Sequence, residues 1–262
     1  MVLAASARER GTAMMSRGGL RHAAKRWLPS PLADWIRRSG LAVWPPVGTI
    51  RFGSLRRLRP ISERHGFDRG LPLDRYYIER FLERNARDIG GRVLEIREDL
   101  YASRFAEMSR IEALDILDVD RSNAHATLYA DLTHSDEVPP DAFDCIICTQ
   151  TINVVFDFRA ALSTLTAALR SGGVLLITVP GISRQLTDEA PEDSWRFTSI
   201  SFRRVLEELF APEDVSVETY GNVLTAAGFL YGVASKELRQ SELDFRDERY
   251  EVIIGARAVK RG

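Results

Sequence analysis

Three acids stand at or near the ends of three successive apolar runs: Glu95 in "VLEI" at 93–96, Asp115 or Asp118 in "IEALDILD" at 111–118, and Asp131 directly after "ATLYA" at 126–130. A carboxylate only accepts hydrogen bonds. A row of them at strand ends therefore suits a ligand rich in hydroxyls and amines. An apolar run that ends in an acid usually introduces a glycine-rich turn, where the backbone can take positive φ and approach a nucleotide-like ligand. Here Arg97, Glu98, Asp99, Leu100 and Tyr101 occupy the turn, with no glycine among them.

Further polar residues follow later runs. Thr149, Gln150 and Thr151 come after "AFDCIIC", and Asp193, Trp195 and Arg196 after "VLLITVP". Cys145 and Cys148 form a CxxC, but inside an apolar strand, where positions three apart point to opposite faces. They read as core residues. The four histidines, His22, His65, His125 and His134, show no HxH or HExxH spacing, so no metal site is expected.

The elements that must hold these residues alternate regularly from Pro72 onward. Periodicity predicts a helix over 73–88, strands at 93–96, 111–118, 126–130 and 142–149, and a short helix over 101–108. Asp157 is the expected N-cap of a helix with the stripe Ala161, Leu162, Leu165 and Leu169, closed by Gly172-Gly173. A buried strand over 174–180, a helix around Phe202–Leu209, the strand "VSVETY", a helix over 222–239 and the strand "YEVIIGARAV" complete the chain. Strands and helices alternating in this way predict a doubly wound, mostly parallel α/β sheet of about seven strands, with helices on both faces.

The 262 residues allow one sizeable domain plus an extension. Residues 1–60 carry twelve Arg/Lys against two acids, Glu9 and Asp34, a charge of +10 in a chain of net charge −1. The expected division is a basic, partly helical or disordered arm over 1–60 and an acidic domain over 61–262. Such an arm suits an anionic partner such as a membrane surface. "SPLADWIRRSGLAVWPPV" at 30–47 has the pattern of a short amphipathic helix with Leu32, Trp35 and Ile36 on one side. No run approaches the roughly 18 apolar residues of a membrane span, and the N-terminus lacks the apolar core of a secretory signal. A cytoplasmic location is the expectation.

The strings "GRVLEI", "ATLYADLT", "DAFDCIICTQTI", "FDFRAALSTLTAALRSGGVLLITVPG" and "DSWRFTSISF" resemble class I S-adenosylmethionine-dependent methyltransferases, over roughly residues 47–260. They look closest to a bacterial branch associated with glycosyltransferase and surface-polysaccharide genes. "RGLPLDRYYIERFL" and "YGNVLTAAGFLYGVASKEL" are similar to strings of that branch. The resemblance implies a Rossmann-like methyltransferase fold and S-adenosylmethionine as cofactor. It implies cofactor contacts at Glu95, Arg97, Asp115, Asp131, Leu132 and Thr149. Asp115 is favoured over Asp118 for the ribose, because the family's string here resembles "DVLH".

The branch usually keeps one glycine in its turn, as in "LEIGDxxYT", so Arg97 is the departure. An arginine there either pairs with the cofactor's carboxylate or fills the site. Position on the rim of the expected sheet offers Gln150 and Asp193 for the chemistry, with Asp193 as general base, and Tyr76, Trp195 and Arg196 for the substrate. The expected reaction is methyl transfer to a hydroxyl of a small molecule or glycan. The alternative is a catalytically silent relative serving as a binding partner in glycan biosynthesis, through a glycosyltransferase or membrane contact of the basic arm. A dehydrogenase would need a GxGxxG after the first strand, which is absent. Nucleic acid is disfavoured, since the domain itself is acidic.

Overall fold

The computed structural model describes residues 45–186 and 193–262. The chain divides into two compact units, Met1–Arg56 and Arg57–Gly262. The amphipathic helix expected within 30–44 lies outside the described residues.

In the second unit the strands are β1 (Gly91–Ile96), β2 (Ile111–Asp118), β3 (Leu128–Tyr129), β4 (Phe143–Thr149), β5 (Leu169–Pro180), β6 (Val215–Tyr220) and β7 (Ile253–Val259). The described helices are α1 (Leu73–Arg84), α2 (Ala102–Phe105), α3 (Phe158–Ala168), α4 (Ser199–Leu206), α5 (Val223–Tyr231) and α6 (Gln240–Asp244). The sheet order is β3-β2-β1-β4-β5-β7-β6. The pairs β2–β3, β1–β2, β1–β4 and β4–β5 are parallel, and β7 runs antiparallel between β5 and β6. Strand order reverses between β1 and β4. In an open sheet of this kind the crevice beyond the carboxyl ends at that switch is where ligands bind.

Pleat alternation divides the core into two layers. Cys145 and Ile147 pack with Leu73, Tyr77 and Phe81 of α1 on one face. Ile146 and Cys148 pack with Leu162 and Leu165 of α3 and Phe202 of α4 on the other. The two cysteines are therefore on opposite faces, both buried and both free. Burial pushes the Cys148 thiol up to about 12, so it stays protonated. Gly255 of β7 admits α1 closely: a methyl group there would meet the Phe81 ring at 2.5 Å. Phe81 is 1% exposed, and truncating such a side chain typically costs about 3–5 kcal/mol.

Asp157 caps α3, its Oδ1 accepting from the Ala160 N–H at 3.1 Å. Gly172 and Gly173 do not close that helix. The helix ends at Ala168, and Leu169 already pairs with Phe143; the register then jumps to Cys145–Val174. The glycines occupy this bulge, Gly172 at φ 79°. The helix expected over 222–239 is also shorter. Asn222 and Thr225 form a capping box at its start, and Gly232 ends it in the left-handed conformation at φ 71°.

Candidate functional site

A cavity of about 390 Å³ opens beyond the carboxyl ends of β1, β4 and β5. The turn after β1 forms one wall. Glu95 is 2% exposed, and its two oxygens accept from the backbone N–H groups of Tyr101 at 2.9 Å and Ala102 at 2.8 Å. It therefore organises the turn. Burial pushes its carboxyl up to about 7, against the pull of those N–H groups. Tyr101 is buried, and its hydroxyl accepts from Arg75 Nη1 at 2.8 Å, which ties the start of α1 to the turn.

Arg97 keeps the geometry a glycine would supply. Its φ is 77°, its N–H donates to the Leu117 carbonyl at 2.8 Å, and its own carbonyl accepts from Asn123 Nδ2 at 2.8 Å. A left-handed non-glycine residue costs roughly 1–2 kcal/mol. Gln150 at φ 50° and His65 at φ 56° adopt the same region. All three line this one cavity, and strained backbone gathers where function requires it. Arg97 is exposed at the cavity edge, and its guanidinium forms no side-chain hydrogen bond or ion pair among the described residues.

The structure places the two ribose-side candidates, Asp115 and Asp118, differently. Asp115 lies mid-strand opposite Leu94, ion-paired with Arg92 at 2.7 Å and accepting from Thr127 Oγ1 at 3.0 Å. Neither it nor Asp118 lines the cavity. The acid at the end of β2 is Asp118, buried, with Oδ1 accepting from the Asp120 N–H and Oδ2 from Asn123 Nδ2. Asn123 thus links Asp118 to the Arg97 carbonyl. Asp131 follows β3 as expected, but its Oδ1 is taken by the N–H and hydroxyl of Thr133, both at 2.8 Å. Those bonds hold its carboxyl below the usual range. Leu132 is core. Neither Asp131 nor Leu132 lines the cavity.

On the β4–β5 side, Thr149, Gln150 and Thr151 line the wall. Gln150 is held at Thr178 by its N–H to the carbonyl (2.9 Å) and its Nε2 to Oγ1 (3.3 Å). Asp193 also lines the cavity, but it is not free to take a proton. Its carboxylate accepts from Asn153 Nδ2 (2.9 Å), the Leu186 N–H (2.8 Å) and both terminal nitrogens of Arg196 (2.7 and 2.6 Å). Burial opposes its charge, yet Arg196, Asn153 and Leu186 outweigh it and hold the carboxyl below the usual range. Arg196 spends itself on this clamp and on the Trp195 and Arg184 carbonyls.

Trp195 is not a stacking platform in the cavity. It packs edge-on to Phe158, ring centroids 5.2 Å apart, and donates to the Phe156 carbonyl. Tyr76 also lies away from the cavity, accepting from Gln240 Nε2 at 2.8 Å beside Arg80, because its place on α1 turns it toward α6. Its helix neighbours Asp74 and Arg75 do line the wall.

Sequence reasoning missed Asn153, Arg184 and His65, all in the wall. Asn153 was within reach of the strand-end argument, three residues past Gln150. His65 and Arg184 had no spacing signal, since 119 residues separate them. Among the described residues, two buried oxygens in this wall have no partner, Asp74 Oδ1 and Asn153 Oδ1. Burial raises the Asp74 carboxyl.

The chain matches the family described as methyltransferase domain over residues 73–229. No curated protein sequence matches it. Among solved structures, a SAM dependent methyltransferase from Archaeoglobus fulgidus is similar at 13% identity, covering 71% of this chain and 94% of its own, with a TM-score of 0.48. Haemonchus contortus phosphoethanolamine N-methyltransferase 2, in complex with S-adenosyl-L-methionine, is similar at 15% identity, over 83% of this chain and 61% of its own, with a TM-score of 0.45.

Proposed function

Because the chain belongs to the methyltransferase-domain family and has the seven-stranded class I sheet, we propose that it transfers a methyl group from S-adenosylmethionine to a hydroxyl of a small molecule or glycan. The observation that carries this reading is Arg97. At φ 77° it preserves the turn beside an open cavity at the switch point, although the glycine is gone.

The residues present fit the cofactor. Asp74 Oδ1 is a buried acceptor without a donor, suited to the ammonium of the amino-acid end. The Arg97 guanidinium stands ready for its carboxylate. Asp118, at the true end of β2, takes the ribose side, and the segment after β3, at Asp131 and Leu132, the base. The bound cofactor supplies an electrophilic methyl group, and in-line transfer depends above all on positioning. The protein's part is that positioning. The Asp193–Arg196–Asn153 clamp holds the segment after β5 against the one after β4, and the Thr149–Thr151 rim faces the acceptor.

The glycan context comes from the sequence resemblance, as does the association with glycosyltransferase genes. In the same reading residues 1–60 form a basic arm that meets a membrane surface or a protein partner. No helix among the described residues is long and apolar enough to cross a membrane. The rival reading, a silent relative, draws its support from the Arg97 side chain standing where the turn has lost its glycine. Calorimetric titration with S-adenosylmethionine, followed by transfer of labelled methyl into a saccharide fraction, tests the proposal. Absence of cofactor binding would favour the silent relative. Label in protein or RNA fractions would leave the enzyme class and remove the acceptor.

A further inference from the structure

Glu95 lines the cavity and is 2% exposed. Among the described residues both its oxygens are taken by backbone, Oε1 by the Tyr101 N–H and Oε2 by the Ala102 N–H. The other acids of the cavity are placed differently. Asp193 is clamped by Arg196 at 2.6 Å, and Glu98 is exposed. Burial raises the Asp74 carboxyl, against the charges of Arg75 and His65 beside it. In the methyl-transfer reading Asp74 also meets the ligand's ammonium.

The groups that face Glu95 do little to hold its charge. Burial is the main cause that pushes its carboxyl up to about 7, and Asp99 of the turn adds a like charge. On β4, Cys145 pairs with Val93 and is a buried thiol that burial keeps neutral. On the α1 side, Arg75 donates to the Tyr101 hydroxyl at 2.8 Å rather than to a carboxylate. Arg97 is exposed at the cavity edge. Across the cavity, Arg196 is bound to Asp193 and Arg184 to His65.

Charge is also what separates the methyl donor from its product. The donor carries a sulfonium, a cation with no proton to lose, and the product a neutral thioether. Their amino-acid ends, riboses and bases are the same. A nearby opposite charge favours the ionised form of a carboxyl, so a buried carboxyl in the cavity responds to the one difference between the two ligands.

We infer that Glu95 sets the preference for the donor over the product: it is ionised beside the sulfonium and holds a proton beside the thioether. This rests on the methyl-transfer reading of the same cavity and adds the means by which the site lets its product go. On donor binding Glu95 gives its proton to solvent. In the transfer, the carbon–sulfur bond breaks with its electron pair left on sulfur and the carbon–oxygen bond forms. The acceptor hydroxyl then loses one proton as Glu95 regains one, so sulfonium and carboxylate are neutralised together. Below about 7 the free protein holds Glu95 protonated. Donor binding releases that proton and therefore strengthens as pH rises toward this value, whereas product binding stays level.

The test uses the full-length protein and calorimetric titration with S-adenosylmethionine and with S-adenosylhomocysteine. Between about pH 5.5 and about pH 7 the ligands' own α-amino groups stay protonated. Over that range the ratio of donor to product affinity should rise about tenfold, with the product's affinity nearly constant. At about pH 6, titrations in MES and in Bis-Tris, whose heats of ionisation differ, should show protons released by donor binding and few by product binding. Glu95→Gln should flatten the ratio, whereas Asp74→Asn should weaken both ligands and keep the slope. A ratio that ignores pH, equal proton release by the two ligands, or a slope that survives in Glu95→Gln overturns the inference. The two-buffer experiment needs no variant, so it decides even where Glu95→Gln does not fold. Failure of both ligands to bind would overturn the methyl-donor reading as well. Binding of both at a level ratio would overturn this inference alone.

Discussion

Glu95 Oε1 accepts from the backbone N–H of Tyr101, six residues further along the chain, at 2.9 Å. The acid at the end of β1 thus faces its own turn, with Ala102 taking the other oxygen. That arrangement replaces, with a buried carboxylate, part of the support that glycines give in a looser turn.

Its titration should be visible in stability. The folded-state value of about 7 exceeds the ordinary 4.5. Between those values the native protein holds a proton that the unfolded chain has released. Stability therefore falls as pH rises through that window and levels off above it, by on the order of 3 kcal/mol. Glu95→Gln removes the titration at the loss of one turn hydrogen bond. Melting temperatures from about pH 5 to pH 8 should slope less in the variant than in the parent. Parallel slopes would remove Glu95 as the cause.

Arg97→Gly separates backbone from side chain. Relief of the left-handed conformation should stabilise the fold by about 1 kcal/mol. Loss of the guanidinium should weaken S-adenosylhomocysteine binding about tenfold. Thermal melts and calorimetry read the two effects independently. Tighter binding in the variant would mean that the arginine obstructs the site.

Asp118 and Asp115 make a paired comparison. Asp118→Asn is expected to weaken cofactor binding by about 1.5–3 kcal/mol. Asp115→Asn should leave binding intact and cost less than about 1 kcal/mol of stability, because its ion pair with Arg92 is partly exposed. The reverse pattern would return the ribose to Asp115.

Asp193 is expected to act on stability. Asp193→Asn leaves Arg196 short of its carboxylate and should destabilise the domain by about 3 kcal/mol. With the folded-state carboxyl held below the ordinary 3.8, the charged form stabilises the native state above that value. The contribution is lost as pH falls through the lowered folded value. If Asp193 were instead the general base, the variant would melt normally and lose about 100-fold or more in turnover.

Removing residues 1–45 should leave a cooperative melting transition, since among the described residues the buried members of both core layers begin at Leu73. Loss of soluble protein would place Trp35 or Trp44 in a core.

The alternation of apolar runs was enough to give the sheet, its helices and the cap at Asp157. Burying one face of a helix and both faces of a central strand leaves a period that can be read locally. The row of strand-end acids was legible for the same reason, as was the odd residue at 97. Three things depended on the tertiary structure. The pairing of β1 with β2 set Asp115, which a resemblance to a family string had favoured over the strand-end Asp118, in mid-strand opposite Leu94. Packing and ion pairing turned Trp195 and Asp193, both chosen for their chemistry, into parts of the scaffold. Finally, the fold brought His65 to Arg184 across 119 residues. No local pattern encodes such a contact, because it arises from two segments meeting over the same sheet edge rather than from any preference of either one.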